Sequence, residues 1–303
     1  MTLPNFLIIG AAKSGTTALY RYLYDHPEIF MSEWKELHYF SFPETRILNK
    51  GPKTYKRISV STLKEYEEYF QYAKNAIAIG EVSPSYLYLP GTANRIFKLL
   101  PNIKLIAILR NPVERAFSAF MHARRDGWEE ITDFRKALEQ EETRIEAKWE
   151  IAWHYKQMGY YNEQLKRYYD LFPHSNIRVF LYDDLILNSN ILFINIFQFL
   201  NVNNSFSPNI SVQPNKSGVI RSRVIYNVMN SIFLTPNPLK YFARLLLPEA
   251  LRWRFTTRLR NLNINKYPFP EDARNYLLSF FTDDICRLED LINRDLSNWK
   301  NIK

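Results

Sequence analysis

Cysteine is almost absent from this 303-residue chain, in which Cys286 stands alone. An internal disulfide is therefore excluded, no Cys/His spacing typical of a metal site occurs, and no metal is expected. Cys286 lies in an amphipathic stretch with Ile285 and Leu288, which predicts a buried structural thiol. A chain without disulfides is typical of a reducing compartment, so a cytoplasmic location is expected.

Long hydrophobic runs are also missing. The N-terminus MTLPNFLIIGAAKSG has no basic region ahead of an apolar run, so no signal peptide is predicted. A membrane span needs about 20 apolar residues, and the nearest approach, 186–200, is interrupted by Asn188, Asn195 and other polar residues. A protein without a transmembrane segment is expected, and peripheral contact with a membrane surface stays open.

Basic residues are in excess but are not concentrated anywhere. Lys and Arg number 40 against 31 Asp and Glu, which gives a formal net charge of +9. Such a protein usually meets an anionic partner: nucleic acid, a membrane, or a ligand that carries phosphate or sulfate. Because the chain has neither a Lys/Arg-rich tail nor a nucleic-acid-binding motif, nucleic acid is not expected as a partner.

Short apolar runs alternate with helical patterns along the chain. This alternation predicts an α/β fold with a central parallel sheet and helices on both faces. A helix is predicted from Thr16 to Tyr24, and another after Pro112, which suits a first helical turn. The predicted strands are Phe6–Ile9, Ile77–Ile79, Ile103–Leu109 and Ile177–Tyr182.

The pattern indicates a single domain over residues 1–303. The polar tract 201–218 is interpreted as a surface loop of that domain. Residues 221–260 are basic, aromatic and interrupted by prolines. This composition suggests short peripheral helices that act as a lid or cover a bound substrate. A final helix pair is predicted between Pro270 and Trp299.

The first strand leads through a glycine-containing turn into the first helix. Backbone N–H groups and the helix dipole favour an anion in such a turn. Gly10 and Gly15 have the separation of the nucleoside-triphosphate motif G-x-x-x-x-G-K-[ST], but Thr16 stands where the lysine belongs, and the lysine is Lys13. A P-loop-type small-molecule kinase is therefore the less favoured alternative, and an ordinary turn with an exposed lysine is a third.

Four segments together resemble the PAPS-dependent sulfotransferases (PAPS is 3′-phosphoadenosine 5′-phosphosulfate). The resemblance is to the heparan sulfate sulfotransferase-like branch and its soluble bacterial members. The segments occur in the family's order: the 5′-phosphosulfate loop at 12–17, a segment carrying the proposed base at 35–40, the 3′-phosphate motif at 105–118, and a late loop at 215–218 with Arg221.

This resemblance implies a sulfotransferase fold with a P-loop-like start and an enzyme that uses PAPS and releases PAP. The sulfuryl group would pass in line to a hydroxyl or amine of a small-molecule (natural product) or carbohydrate acceptor. Lys13 and Lys216 would neutralise the leaving phosphate. Glu36 would be the general base, and His38 would either orient Glu36 or act as the base itself.

The resemblance also implies which residues bind the cofactor. An arginine that closes an apolar strand suits bidentate binding of the 3′-phosphate, and Ser118 follows Arg110 by about two helical turns. The alternatives are a surface salt bridge for Arg110 and an exposed polar face for Glu36 and His38. The predicted cofactor-binding set is Lys13, Ser14, Gly15, Thr16, Thr17, Arg110, Ser118, Lys216, Ser217, Gly218 and Arg221.

One position departs from the heparan sulfate branch. Some of its members carry a lysine that serves the acceptor site where this chain has Val82. The departure puts heparan-like recognition of the acceptor in doubt and does not affect cofactor binding. His122 and His154 lie in polar helical stretches and are candidates for lining the acceptor cleft.

Overall fold

The computed structural model describes residues 2–42, 60–73, 75–210, 219–222, 258, 262–265 and 267–301. A five-stranded sheet with the order β2-β3-β1-β4-β5 forms its centre, and every neighbouring pair is parallel. This confirms the predicted fold class. The strands are β1 (Phe6–Gly10), β2 (Ile29–Met31), β3 (Ala78–Val82), β4 (Lys104–Leu109) and β5 (Ile177–Leu181).

Helices connect and flank these strands. They are α1 (Thr16–Tyr24), α2 (Leu63–Glu68), α3 (Ser85–Tyr88), α4 (Thr92–Leu99), α5 (Pro112–Asp126), α6 (Phe134–Glu139), α7 (Glu141–Glu146), α8 (Tyr161–Tyr169), α9 (Tyr182–Leu187), α10 (Ser189–Leu200), α11 (Glu271–Ile292) and α12 (Ser297–Lys300). Within the described residues, 3₁₀ turns occur at Ile151–Trp153, Gln157–Gly159 and His174–Asn176.

Two hydrophobic cores lie on opposite faces of the sheet. Along β1, Leu7 and Ile9 belong to the core that includes residues of α5, α8 and α11. Phe6 and Ile8 belong to the core that includes residues of α1 and α10. All four side chains are fully buried, which explains why the strand is a continuous apolar run rather than an alternating one. The result is three layers: helices, sheet, helices.

The start of α5 follows directly from its sequence. The Asn111 side chain accepts hydrogen bonds from the N–H groups of Val113 (3.0 Å) and Glu114 (3.5 Å), which is the usual N-cap arrangement. Pro112 occupies the first turn, as predicted. The helix ends at Gly127, whose φ of 78° suits glycine. This fixes the direction in which α5 leaves β4.

Most predicted elements are present, with small shifts at their ends. The helix Thr16–Tyr24 has the predicted bounds, the strand expected at Ile77–Ile79 is Ala78–Val82, and the final helix pair is α11 and α12. The strand β2 was not predicted, because Ile29–Met31 is only three residues long and carries no periodic pattern.

The prediction for Cys286 is wrong, because its thiol is exposed. The buried face of α11 runs through Phe281, Ile285 and Leu288, and Cys286 falls about 100° away from Ile285 around the helix. Its Sγ lies 3.9 Å from the Lys300 ammonium instead.

The C-terminal part of the described chain also includes a small antiparallel pair. β6 (Val219–Ile220) pairs with β7 (Ile264–Asn265), and β6 lies against α5. Among the described residues, no helix is both long enough and apolar enough to cross a membrane. Residues 211–218 and most of 221–260 lie outside the described residues, so the surface-loop and lid assignments stay predictions.

Candidate active site

The carboxyl ends of the parallel strands meet at one edge of the sheet, where ligands bind in open α/β sheets. The loop 11–15 follows β1, residues 83–86 follow β3, Arg110 follows β4, and Tyr182 follows β5. The loop after β1 and Arg110 are parts of the chain in which the sequence predicted functional residues, and the predicted base segment 35–40 follows β2 and is hydrogen-bonded to Val82 and Ser83 at the end of β3. The fold therefore brings the predicted motifs to a common edge.

The loop after β1 has the backbone that an anion-binding turn requires. Lys13 and Gly15 have φ values of 70° and 97°, and Gly15 precedes the first turn of α1, which has no side-chain cap. A Cβ on Gly15 would lie 3.0 Å from Leu185 and 3.1 Å from Tyr182. Glycine is thus required both by conformation and by space, and the first N–H groups of α1 face the loop.

Lys13 lies among charged groups of other elements. Burial, reinforced by the positive charge of Arg125, lowers the pKa of the Lys13 ammonium to about 7. Asp126, Lys35 and Glu36 also act on it. A lysine that is only partly charged at neutral pH is one that an anionic ligand can charge fully, so this environment suits the predicted contact with phosphate.

Two tyrosines connect the loop to the end of β4. The Tyr161 hydroxyl donates to the Arg110 carbonyl at 3.0 Å and lies beside the Ser14 side chain. Ser14 is fully buried, and in the described part of the chain its hydroxyl has no partner in hydrogen-bond geometry. Tyr182 contacts the Gly15 position and lies 4.9 Å below the Arg110 guanidinium.

Arg110 is held at the end of β4 by an ion pair. Its Nη2 lies 2.8 Å and its Nε 3.3 Å from the same Glu114 carboxylate oxygen. The Arg110 side chain is 19% exposed, and Glu114 is 45% exposed. Ser118 is buried on the same helix. The predicted salt bridge therefore exists, and the guanidinium still keeps donors at the site edge because one carboxylate oxygen takes only two of its five N–H groups.

Glu36 and His38 come together beside the sheet edge. His38 Nε2 lies 3.6 Å from Glu36 Oε2, and Lys35 pairs with the other oxygen. Burial alone would raise the pKa of Glu36, but the Lys35 charge and the His38 hydrogen bond outweigh it and hold the pKa well below its ordinary value. The Glu36 side chain is 42% exposed, whereas that of His38 is 6% exposed. The carboxylate is thus ionised and reachable.

The end of α5 adds three groups to this region. Burial, then the charges of Lys13 and Arg125, lower the pKa of His122 to about 3, so its ring is neutral at pH 7. Its Nε2 lies 3.5 Å from an Asp126 oxygen, and its ring packs edge-on against Trp128. These contacts bring His122 close to Lys13, and its place in the acceptor cleft stays a prediction.

Part of the predicted set lies outside the described residues: Lys216, Ser217 and Gly218. Arg221 is described and exposed, and its backbone N–H donates to the Asn263 carbonyl at 2.8 Å. It directly follows β6, which lies against α5. The roles of all four in cofactor binding stay predictions, as do those of Thr16, which is buried, and Thr17, which is partly exposed.

The comparisons with known proteins agree with this geometry. A family model described as "Sulfotransferase domain" matches residues 3–217. This chain belongs to the sulfotransferase family. The crystal structure of a sulfotransferase from Alicyclobacillus acidocaldarius is 32% identical, covers 99% of this chain and 100% of that one, and superimposes with a TM-score of 0.77.

Curated relatives match a shorter part of this sulfotransferase. The membrane-associated sulfotransferase kil1 of Dictyostelium discoideum is 38% identical over 120 residues, which is 40% of this chain and 23% of that protein. The human bifunctional heparan sulfate N-deacetylase/N-sulfotransferase 3 is 33% identical over 124 residues, which is 40% of this chain and 13% of that protein. The match thus spans less than a quarter of each relative.

Several residues of the site were not predicted from the sequence. Tyr161 and Tyr182 touch the phosphate-loop region and Arg110, and Arg125 acts on Lys13. Tyr182 had a usable indication, since it is the last residue of the predicted parallel strand Ile177–Tyr182. Tyr161 is the first residue of α8 and Arg125 lies in the last turn of α5, and only the tertiary packing of these helices sets where the two side chains point.

Proposed function

We propose that this sulfotransferase transfers a sulfuryl group from PAPS to a hydroxyl or amine of a small-molecule or carbohydrate acceptor. One observation supports this most strongly: the loop with Lys13 and the strand end with Arg110 meet at one edge of the sheet, with Tyr182 touching both. A nucleotide with phosphates at its 5′ and 3′ positions would match two neighbouring anion-binding sites of this kind.

The residues of the loop fit the 5′-phosphosulfate. The N–H groups of Gly15, Thr16 and Thr17 stand at an uncapped helix start and would bind phosphate oxygens. The buried Ser14 hydroxyl has no partner in hydrogen-bond geometry in the described part of the chain, so it has a hydrogen bond to offer. Lys13 would neutralise the bridging and leaving oxygens, with Lys216 as the second cation.

Arg110 and Ser118 would bind the 3′-phosphate. The guanidinium has a planar pair of N–H donors that matches two phosphate oxygens, and Glu114 would share it or be displaced from it. Ser217, Gly218 and Arg221 would close over the nucleotide, a placement supported by the contact of β6 with α5.

Bound PAPS supplies an activated sulfuryl group whose leaving group is the phosphate of PAP. Glu36 would accept the acceptor's proton, because it is ionised, partly exposed and within electrostatic range of Lys13. A positioned base contributes typically about 10²–10⁴-fold to a rate. His38 would orient Glu36 rather than replace it, since its ring is almost fully buried.

The acceptor site would lie between Glu36 and the end of α5. Arg125, Lys35 and the neutral His122 ring face this region. Val82 does not take the place of an acceptor-binding lysine, because its side chain is fully buried in the core. The printed names of the relatives include heparan sulfate N-sulfotransferases, which keeps a carbohydrate acceptor among the candidates.

The experiment that tests this proposal is thermal unfolding with PAP, PAPS, ATP or no ligand. A ligand at a hundred times its Kd adds about 2.7 kcal/mol, which raises the Tm of a domain of this size by several degrees. We expect a rise with PAP and PAPS and little with ATP. A rise with ATP alone would favour the small-molecule kinase, and no rise with PAP would contradict the proposal.

A further inference from the structure

The segment 36–40 is held in an unusual conformation. Glu36 and His38 have φ values of 67° and 56°, in the left-handed region that side chains other than glycine rarely adopt. Such a backbone persists only where its surroundings fix it. Alternate N–H groups of the segment donate to residues after or at the end of β3: Glu36 to the Val82 carbonyl (2.8 Å), His38 to Ser83 Oγ (3.1 Å) and Phe40 to the Tyr86 hydroxyl (3.3 Å).

The His38 ring is also held by two hydroxyl groups. Its Nδ1 lies 2.9 Å from Ser85 Oγ and 3.3 Å from Ser41 Oγ. The two hydroxyls lie 2.8 Å from each other. His38, Ser41 and Ser85 are each at most 5% exposed, so water does not compete freely for these bonds. The other ring nitrogen, Nε2, faces Glu36 Oε2 at 3.6 Å.

This arrangement determines where the ring proton belongs. An ionised carboxylate only accepts hydrogen bonds, so the nitrogen that faces Glu36 must carry a proton. In the neutral ring Nδ1 is then an acceptor, and it needs a donor. Ser85 and Ser41 can each rotate an O–H toward it. The chain of donors therefore runs from Ser41 to Ser85, from Ser85 to Nδ1, and from Nε2–H to Glu36.

We propose that Ser85, assisted by Ser41, is a positioning residue that fixes His38 in its Nε2–H tautomer and so aims a donor at the Glu36 carboxylate. The inference rests on the proposed function, in which Glu36 is the base. A donor held at Glu36 Oε2 orients the carboxylate. The other oxygen, Oε1, is then directed toward Lys35 and the site. The hydroxyl pair thus acts on the base through a second residue and touches no reacting atom.

The test is the ¹⁵N NMR spectrum of the imidazole rings, in which protonated and unprotonated nitrogens have well-separated shifts. The chain has 5 histidines, and His38→Gln identifies the His38 signals. We expect wild-type protein near neutral pH to show His38 with Nε2 protonated and Nδ1 unprotonated. Ser85→Thr keeps the hydroxyl and should keep this spectrum.

In Ser85→Ala we expect a mixture of tautomers, and in Ser41→Ala/Ser85→Ala loss of the Nε2–H form as the dominant one. Ser32→Ala is the matched control, because Ser32 is equally buried and its hydroxyl donates to the Trp34 carbonyl at 2.9 Å; the His38 signals should not change. Wild-type His38 with Nδ1 protonated would overturn the proposal, and this result needs no variant to fold. An unchanged tautomer in the folded double variant would also overturn it.

A parallel titration with PAP separates this inference from the proposed function. PAP binding reports on the nucleotide site, and the tautomer reports on the hydroxyl pair, so each can fail alone. We expect Ser85→Ala to bind PAP within about twofold of wild type, since the two hydroxyls bond to His38 and to each other. A large loss of PAP affinity in this variant would assign Ser85 to general support of the site instead.

Discussion

Lys13 is the residue proposed to contact the cofactor phosphate, and we expect its charge to depend on the ligand. Burial and the charge of Arg125 lower its pKa to about 7, so near neutral pH the free protein would contain both the neutral and the charged form of Lys13. Phosphate oxygens favour the charged form, so PAP binding should raise this pKa and take up a proton.

The affinity for PAP should therefore fall as the pH rises above 7, by up to about tenfold per pH unit. Calorimetric titrations at pH 6.5, 7.5 and 8.5, each in two buffers of different ionisation enthalpy, measure both the affinity and the proton uptake. Lys13→Arg is the control, because arginine stays charged at every pH used. In this variant the proton uptake caused by residue 13 on PAP binding should vanish. If wild type bound PAP with equal affinity at all three pH values, this result would contradict a contact between Lys13 and the phosphate.

Arg110 is expected to recognise the 3′-phosphate specifically. Charge-assisted hydrogen bonds are worth about 1.5–3 kcal/mol, so Arg110→Ala should weaken PAP binding roughly ten- to a hundredfold. AMP, which lacks the 3′-phosphate, should bind wild type and variant equally. If AMP lost as much affinity as PAP, Arg110 would be supporting the loop through Tyr182 and Tyr161 rather than binding phosphate.

Glu81 is an acidic residue whose side chain is buried in the central sheet. It lies on β3, is fully buried, and neither carboxylate oxygen has a partner in hydrogen-bond geometry within the described chain. Burial raises its pKa from 4.5 to about 8, although the Tyr86 and Tyr66 hydroxyls act in the opposite direction. The acid is therefore protonated at neutral pH in the folded protein.

Glu81 should make stability depend on pH. Between pH 4.5 and about 8 the unfolded chain loses this proton while the folded protein keeps it, so its contribution is fully present below 4.5 and is lost as the pH rises to 8. Glu81→Gln is neutral throughout and should lack this loss. Urea unfolding measures the free energy of unfolding at pH 5 and at pH 8. Between these two pH values, the free energy of unfolding of wild type should fall by about a few kcal/mol relative to that of the variant. A constant difference at both values would contradict a buried, protonated Glu81.

The elements themselves were largely predictable, because burial on both faces leaves a strong trace in the sequence. Phe6–Gly10 and Leu105–Leu109 are continuous apolar runs, and α1 lies between the glycine turn at Gly15 and the turn at Asp25. β2 was missed because three residues at the edge of a sheet carry no pattern. Cys286 was misplaced because one residue's offset on a helix reverses its exposure.

At the scale of the whole molecule, the sequence could predict that the candidate residues lie near one another, because a parallel sheet collects loops from distant positions at one edge. Lys13, Glu36 and Arg110 were identified from local motifs, and the sheet order brings their segments together. Contacts between elements were not predictable in the same way. The link from Tyr182 to Arg110 and the approach of Arg125 to Lys13 depend on how helices pack, which no local pattern encodes.

The measurement that tests the central claim most directly is a crystal structure of the protein with PAP. The account predicts the 5′-phosphate at the N–H groups of Gly15, Thr16 and Thr17, with the Lys13 ammonium beside it. The 3′-phosphate should be bound by Arg110, with Glu114 moved away from the guanidinium. A nucleotide bound elsewhere, or bound here with its 3′-phosphate turned away from Arg110, would contradict the account.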